Sequence, residues 1–207
     1  MPAELVSEPT RIFVVRHGTT LLNRANRYRG RRDVPLDQGG WEDAWSAARA
    51  LQDVGLDAVY SSPLRRARDT ARIVADGSGL DAVIDLPGLT NLEYGAWEGL
   101  TAEESRAHDA EAFDRYQVYG DGAFCPDGES LDLAATRVEL SLRTLAALHP
   151  GGTIAAVSHA AIVRLAIVAA GGVARADWRV ALPNGSVTVF SVTPDSLAVD
   201  LGRVGAS

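Results

Sequence analysis

Ile12-Phe13-Val14-Val15-Arg16-His17-Gly18 lies near the start of this 207-residue chain, and its reading decides the fold. So short an apolar run, rich in β-branched residues, reads as a buried strand, and the glycine ends it sharply. His17 is therefore delivered at the C-terminal end of a strand, where open α/β sheets put their ligands. Arg16 stands beside it, fixed in charge and shaped to hold a phosphate with two parallel hydrogen bonds. A nucleophile or base next to an obligate anion clamp is a reaction site in miniature.

Outward from this strand the chain alternates. Trp41, Trp45, Ala48 and Leu51 recur at helical spacing and predict an amphipathic helix near 38–53. Ala58–Ser61 reads as a strand, and Pro63 suits the first turn of a helix whose Thr70, Ile73 and Val74 share a face. A short strand near 82–85 follows. Helices are expected at about 101–118 and 130–148, the second carrying Leu133, Val138, Leu142, Leu145 and Leu148. Thr153–Ser158 is another buried strand, 160–171 an apolar helix, and Ser186–Val192 and Leu197–Leu201 closing strands. This order predicts a three-layer α/β/α sandwich with a mostly parallel central sheet. With no repeat or linker, 1–207 reads as a single domain with short flexible ends at 1–9 and 203–207.

His159 repeats the geometry of His17: a strand, a histidine, then a helix N-terminus whose free amides favour an anion. A parallel sheet can bring both histidines to one pocket. Arg65, in the first turn of the helix after Pro63, can point toward the same edge. Arg66, Arg68 and Arg72 read as solvated helix-face charges. His108 and His149 read as surface residues.

Composition narrows the chemistry. A net charge of −7 disfavours nucleic acid and anionic membranes as partners. The single cysteine, Cys125, allows no internal disulfide, and the first eight residues contain no apolar signal core, so a cytoplasmic location is expected. No apolar run approaches the ~20 residues that span a bilayer. All 20 basic residues are arginine. Without lysine there is no Schiff base and no GxxxxGK[ST] loop, so anions must be held by arginine, histidine and backbone amides.

At this point the motifs resemble a known family. Arg16-His17-Gly18-x-Thr20-x-x-Asn23 is similar to the RHGxTxxN signature of the histidine phosphatase superfamily, in its phosphoglycerate-mutase-like branch. Asp33-Val34-Pro35-Leu36 with Gly40 resembles D-x-P-L-T-x-x-G, and Ser62-Pro63-Leu64-Arg65-Arg66-Ala67 with Thr70-Ala71 resembles SPLxRAxxTA. Leu92 to Gly99 looks like the LxExxGxWEG loop, Pro126-Asp127-Gly128-Glu129-Ser130 like PxGES, and Val157-Ser158-His159 like VSHGG. The matches run in the family's order over residues 11–164.

The resemblance implies a metal-independent phosphomonoesterase acting on a small phosphorylated metabolite. His17 would take the phosphoryl group, Arg16, Asn23, Arg65 and His159 would hold its oxygens, and Glu93 would serve as general acid and base. A carboxyl group does this best when burial raises its pKa, which Tyr94 and Trp97 could provide. Glu98 is a rival acid. Thr20, Arg27, Gly30, Glu129, Ser130 and Ala160 are candidates for substrate contact, although Glu129 and Ser130 read equally as a loop and a helix cap. Arg24, Arg29, Arg31 and Arg32 form, with Arg27, a basic loop that steers substrate or is merely solvated. No metal or other cofactor is implied, and no zinc-ligand spacing appears.

The chain departs from the pattern at Ala160-Ala161, where the family has glycines, at Asp37 for threonine and at Asp43 for glutamine. The alternative activity is a 2,3-bisphosphoglycerate-dependent phosphoglycerate mutase. The family's mutases carry a longer insertion after the acid and a lysine-containing substrate segment, and this chain has neither. A non-catalytic phospho-ligand-binding module would predict loss of His17 or Glu93, and both are present. The protein is expected to act as a monomer or homodimer.

Overall fold

The computed structural model describes residues 8–201. The expected flexible ends, apart from Glu8 and Pro9, lie outside them. Six strands form one sheet: β1 (Thr10–Arg16), β2 (Ala58–Ser61), β3 (Val83–Asp85), β4 (Thr153–Ser158), β5 (Val187–Val192) and β6 (Leu197–Asp200). Their order is β3-β2-β4-β1-β5-β6. β1 to β4 are parallel, while β5 runs antiparallel to β1 and β6 to β5.

The two-residue period of the strand assigns each side chain to a layer. Ile12 and Val14 of β1 face one core, with Ile154 and Ala156 of β4. Phe13 and Val15 face the other, with Ala155 and Val157. Against the second face pack α2 (Gln38–Leu51) and α3 (Arg65–Gly77), both lined with alanines. Against the first lie α6 (Leu131–Leu148) and α7 (Ala160–Ala169). A one-turn α1 (Leu21–Arg24) precedes α2.

Two expectations are corrected here. The apolar face of α2 is Gly40, Ala44, Ala47, Ala48 and Leu51, whereas Trp41 and Trp45 are 41% and 47% exposed. Small side chains let α2 approach α3 closely, and tryptophan at those positions would hold them apart. Likewise Leu133 and Leu148 of α6 are exposed, and its buried stripe runs through Leu131, Ala134, Val138, Leu142 and Leu145.

The helix expected at 101–118 is two: α4 (Ala102–His108) and α5 (Ala110–Gln117). Asp109, extended at φ −154°, ends the first and caps the second, its carboxylate accepting from Ala112 N at 3.0 Å. The break turns Phe113 and Tyr116 onto Trp97, with ring centroids 5.6 and 5.4 Å away. No helix among the described residues is long and apolar enough to cross a membrane.

Candidate active site

β1 and β4 pair in register with Arg16 opposite Ser158, so the residues that follow them meet. The rings of His17 and His159 lie 5.0 Å apart, centroid to centroid, and both are buried. His17 is pinned through its backbone: its N–H donates to Ser158 O at 3.0 Å, and its carbonyl accepts from Asn184 Nδ2 at 2.8 Å. Gly18 allows the close turn that follows. A Cβ there would overlap the carbonyl of Gly40 at the start of α2, and one on Gly40 would overlap the carbonyl of Thr19.

The tautomer of His17 follows from its partner. Nδ1 lies 2.6 Å from the carbonyl oxygen of Gly18, and a carbonyl can only accept, so Nδ1 carries the hydrogen and Nε2 a lone pair. Burial, then the charges of Arg66, Arg29 and Arg16, push the pKa of His17 well below its ordinary value. The ring is therefore neutral at pH 7. His159 is held low in the same way, by burial and then by Arg66. Its Nε2 lies 2.8 Å from Ser62 Oγ, and its Nδ1 is buried without a hydrogen-bond partner.

The arginine beside these rings is Arg66. It is fully buried, with Nη1 donating to Arg32 O at 2.8 Å and Nη2 to Gly30 O at 2.9 Å. Arg65, the expected phosphate contact, has a side chain 62% exposed and paired with Asp69. Adjacent residues on a helix point about 100° apart, so only one can face the sheet edge. Read letter by letter, SPLxRA itself puts its arginine at position 66. Arg68 and Arg72 are exposed as expected, Arg68 paired with Asp85.

Burial of so many donors without acceptors is the main electrostatic fact of this region. The Nε atoms of Arg16, Arg29 and Arg66 and the Nδ1 of His159 are all buried and unpaired. Arg16 spends Nη1 on Leu182 O. Desolvation and neighbouring arginines lower the pKa of Arg16 to about 10 and of Arg66 to about 9, so both remain charged at neutral pH. Orphaned buried donors are rare, and a cluster of them marks a place prepared for an anion.

Glu93 differs from its expected surroundings. Tyr94 and Trp97 are buried, but the Glu93 carboxylate is 45% exposed and lies 2.9 Å from Arg31 Nη1. The same guanidinium reaches Glu129 at 3.6 Å, and Glu129 is held by two bonds from Arg137, at 2.8 and 2.9 Å. Glu98, the rival acid, accepts from Arg31 N at 2.8 Å and so braces the loop.

The remaining candidates are mostly scaffold. Asn23 Oδ1 accepts from Thr20 N and Oγ1 at 3.0 and 2.9 Å, a capping box for α1 that leaves the Asn23 amide hydrogens to donate. Arg27 is bound to Gly99 O at 2.6 Å and to Glu104 at 2.7 Å, and Ser130 caps α6 through Leu133 N. Gly30 offers its carbonyl to both Arg66 and Asn91. Ala160 begins α7 and lines a small polar pocket with Arg16. Asp37 caps α2 and holds Arg24, while Asp43 accepts from Thr19 N and Oγ1. His108 is exposed, but His149 is half-buried, its Nε2 2.9 Å from the Tyr60 hydroxyl.

A model of the histidine phosphatase superfamily (branch 1) matches residues 12–203. The chain belongs to this superfamily. It is 38% identical over 170 residues to the bifunctional protein Rv2228c of Mycobacterium tuberculosis, covering 80% of this chain and 46% of that protein. The chain thus spans about half the length of these mycobacterial relatives. It is 34% identical over 179 residues to a probable phosphoglycerate mutase, GpmB, of Yersinia pestis, covering 86% and 82% of the two chains. Among solved structures it is similar to the mycobacterial glucosyl-3-phosphoglycerate phosphatase Rv2419c in complex with VO3, with a TM-score of 0.81, 26% identity and coverage of 94% and 99%. Both phosphatases and probable mutases therefore stand among its relatives, on the same phosphoglycerate-mutase-like fold.

Proposed function

We propose that this protein is a phosphomonoesterase that hydrolyses a small phosphorylated metabolite through a phosphohistidine on His17. The observation that carries this is the neutral, buried His17 ring with Nδ1 committed to Gly18 O, set among buried cationic donors that lack acceptors. Nε2 attacks phosphorus and the bond from phosphorus to the ester oxygen breaks. Glu93, which enters the cycle protonated, gives that proton to the leaving oxygen. The imidazolium so formed keeps its Nδ1–H on the Gly18 carbonyl. Glu93 then takes a proton from water, the water oxygen bonds to phosphorus, the P–N bond breaks, and phosphate leaves with His17 neutral again.

Arg16 and Arg66 supply fixed positive charge to the phosphoryl oxygens, and in the tautomer in which Ser62 Oγ donates to His159 Nε2, the unpaired Nδ1 of His159 carries a hydrogen for the same role. Such positioning and electrostatics are most of what phosphoryl transfer requires. Arg66 takes the place that the sequence reading gave to Arg65. Asn23 contributes through its free amide hydrogens.

The short segment between Glu93 and Glu129 and the absence of lysine favour hydrolysis over mutase chemistry. Replacing His17 by Ala is expected to abolish p-nitrophenyl phosphate hydrolysis, and chelators to leave the parent enzyme active. Activity in that variant, or dependence on added metal, would contradict the mechanism. Release of phosphate from 3-phosphoglycerate without its isomerisation, with and without bisphosphate primer, separates hydrolase from mutase.

A further inference from the structure

The bond that sets the tautomer of His17 does not end at the carbonyl. Gly18 O, which accepts from Nδ1, belongs to the same peptide group as the N–H of Thr19, and that N–H donates to Asp43 Oδ2 at 2.8 Å. A chain of hydrogen bonds therefore runs from the Asp43 carboxylate, through the Gly18–Thr19 peptide, to Nδ1 of the ring. Thr19 Oγ1 donates to the same carboxylate oxygen at 2.6 Å. Among the described residues these are the only hydrogen bonds to that carboxylate, and no arginine is in an ion pair with it. Arg16 and Arg24 act on it only from further off, so its charge is not neutralised by direct contact.

The surrounding backbone keeps this chain of bonds in place. The preceding peptide, His17–Gly18, is gripped at both ends, its carbonyl by Asn184 Nδ2 at 2.8 Å and its N–H by Thr70 Oγ1 at 3.1 Å. Thr70 is itself fixed, donating to Arg66 O at 2.8 Å, and Thr19 O accepts from Asp37 N at 3.0 Å. Hydrogen bonds in series polarise one another, most strongly when one end is charged. A carboxylate on the Thr19 N–H therefore makes Gly18 O a stronger acceptor. Burial, then the charges of Arg66, Arg29 and Arg16, oppose a positive charge on the His17 ring, and the bond to Gly18 O works in its favour.

When Nε2 bonds to phosphorus the ring becomes cationic and keeps its Nδ1–H. A stronger acceptor at Gly18 O then stabilises the transition state more than the resting enzyme. We propose that Asp43 is a positioning residue whose negative charge, relayed by the Gly18–Thr19 peptide, orients and polarises the His17 ring for attack. It stands to His17 as the aspartate of a hydrolytic triad stands to its histidine, with one peptide group between them. The proposal rests on the phosphatase reading for what the ring attacks. Asp43 occupies a position where the family pattern has glutamine, and a neutral amide would offer Thr19 an acceptor without the charge.

Asp43→Asn keeps a carbonyl oxygen for both Thr19 donors and removes only the charge. The Nδ1–H resonance of His17, assigned as the one missing from His17→Ala protein, is read by NMR of the resting enzyme labelled with 15N-histidine. In Asp43→Asn it is expected to move upfield, with kcat/KM for p-nitrophenyl phosphate about tenfold lower. Thr19→Ala removes the donor that competes for Oδ2 and is expected to move the resonance downfield. A carboxylate that only braced the loop would shift both variants the same way. Glu42→Gln removes the exposed neighbouring carboxylate and is expected to change neither resonance nor kcat/KM. An unmoved resonance or unchanged kcat/KM in Asp43→Asn, shifts of one sign in both variants, or an equal effect of Glu42→Gln would overturn the relay. If Asp43→Asn does not fold, Thr19→Ala decides alone, a downfield shift supporting the relay and any other result overturning it. The resonance is read without substrate, so the phosphatase reading is tested separately, by p-nitrophenyl phosphate hydrolysis by the parent enzyme.

Discussion

At the scale of single residues, the neighbouring arginines 65 and 66 separate a charge that works from one that is merely present. An exposed i,i+4 ion pair contributes little, so Arg65→Ala is expected to leave kcat/KM within about twofold. Loss of Arg66, which is buried beside both histidines, should lower kcat/KM by about 10²-fold or more, as removal of a pre-placed transition-state donor does. Steady-state kinetics on p-nitrophenyl phosphate reads both. Glu93→Gln should slow esters of poor leaving groups far more than p-nitrophenyl phosphate, and equal losses would count against an acid role. The meeting of Arg16, His17 and His159 at one sheet edge was legible in the sequence, because apolar runs fix where β1 and β4 stop, whereas the exposed, Arg31-paired setting of Glu93 was not. Arg29 was read only as part of a basic loop, because the burial of its Nε depends on distant segments meeting. Arg66 was legible in the motif and misread as a solvated charge, because helix composition does not say which face is buried.

At the scale of elements, the strands were the most readable part. β2 and β4 fall where apolar runs predict them, because a strand buried on both faces leaves an unbroken apolar signature. Helix faces were harder to read. Tryptophan outweighs alanine in any hydrophobic pattern, yet α2 meets α3 through alanines and turns Trp41 and Trp45 outward. The turn after β1 sets a sharper constraint. Gly40→Ala should force α2 away from the Thr19 carbonyl and disturb the loop that carries His17, costing both stability and kcat. Ser130→Ala, which removes a cap from α6 but touches nothing at the histidines, should cost about 1 kcal/mol of stability with little change in kcat. Urea denaturation with parallel kinetics distinguishes the two.

At the scale of the whole molecule, the active site is an electrostatic load that the fold carries. His17 and His159 have pKa values held below those of the unfolded chain, so the unfolded state binds protons first as pH falls. Their contribution is complete above about pH 6.5 and declines below it, by up to about 1.4 kcal/mol per pH unit for each ring. Thermal melts in phosphate-free buffer from pH 8 to 5 should show this fall, and His159→Asn should flatten it. Added phosphate should raise Tm, because an anion bound only by the folded state offsets the crowding of arginines.

The covalent intermediate is the centre of this account, and trapping it is the most direct test. Glu93→Gln enzyme would be mixed with 32P-labelled p-nitrophenyl phosphate, quenched in alkali within milliseconds to seconds, and digested for mass spectrometry. An acid-labile, alkali-stable phosphoryl group is expected on Nε2 of His17, rising before phosphate is released and absent from the Glu93→Gln/His17→Ala double variant. Phosphate release with no labelled protein at any time, or label on another residue, would contradict it.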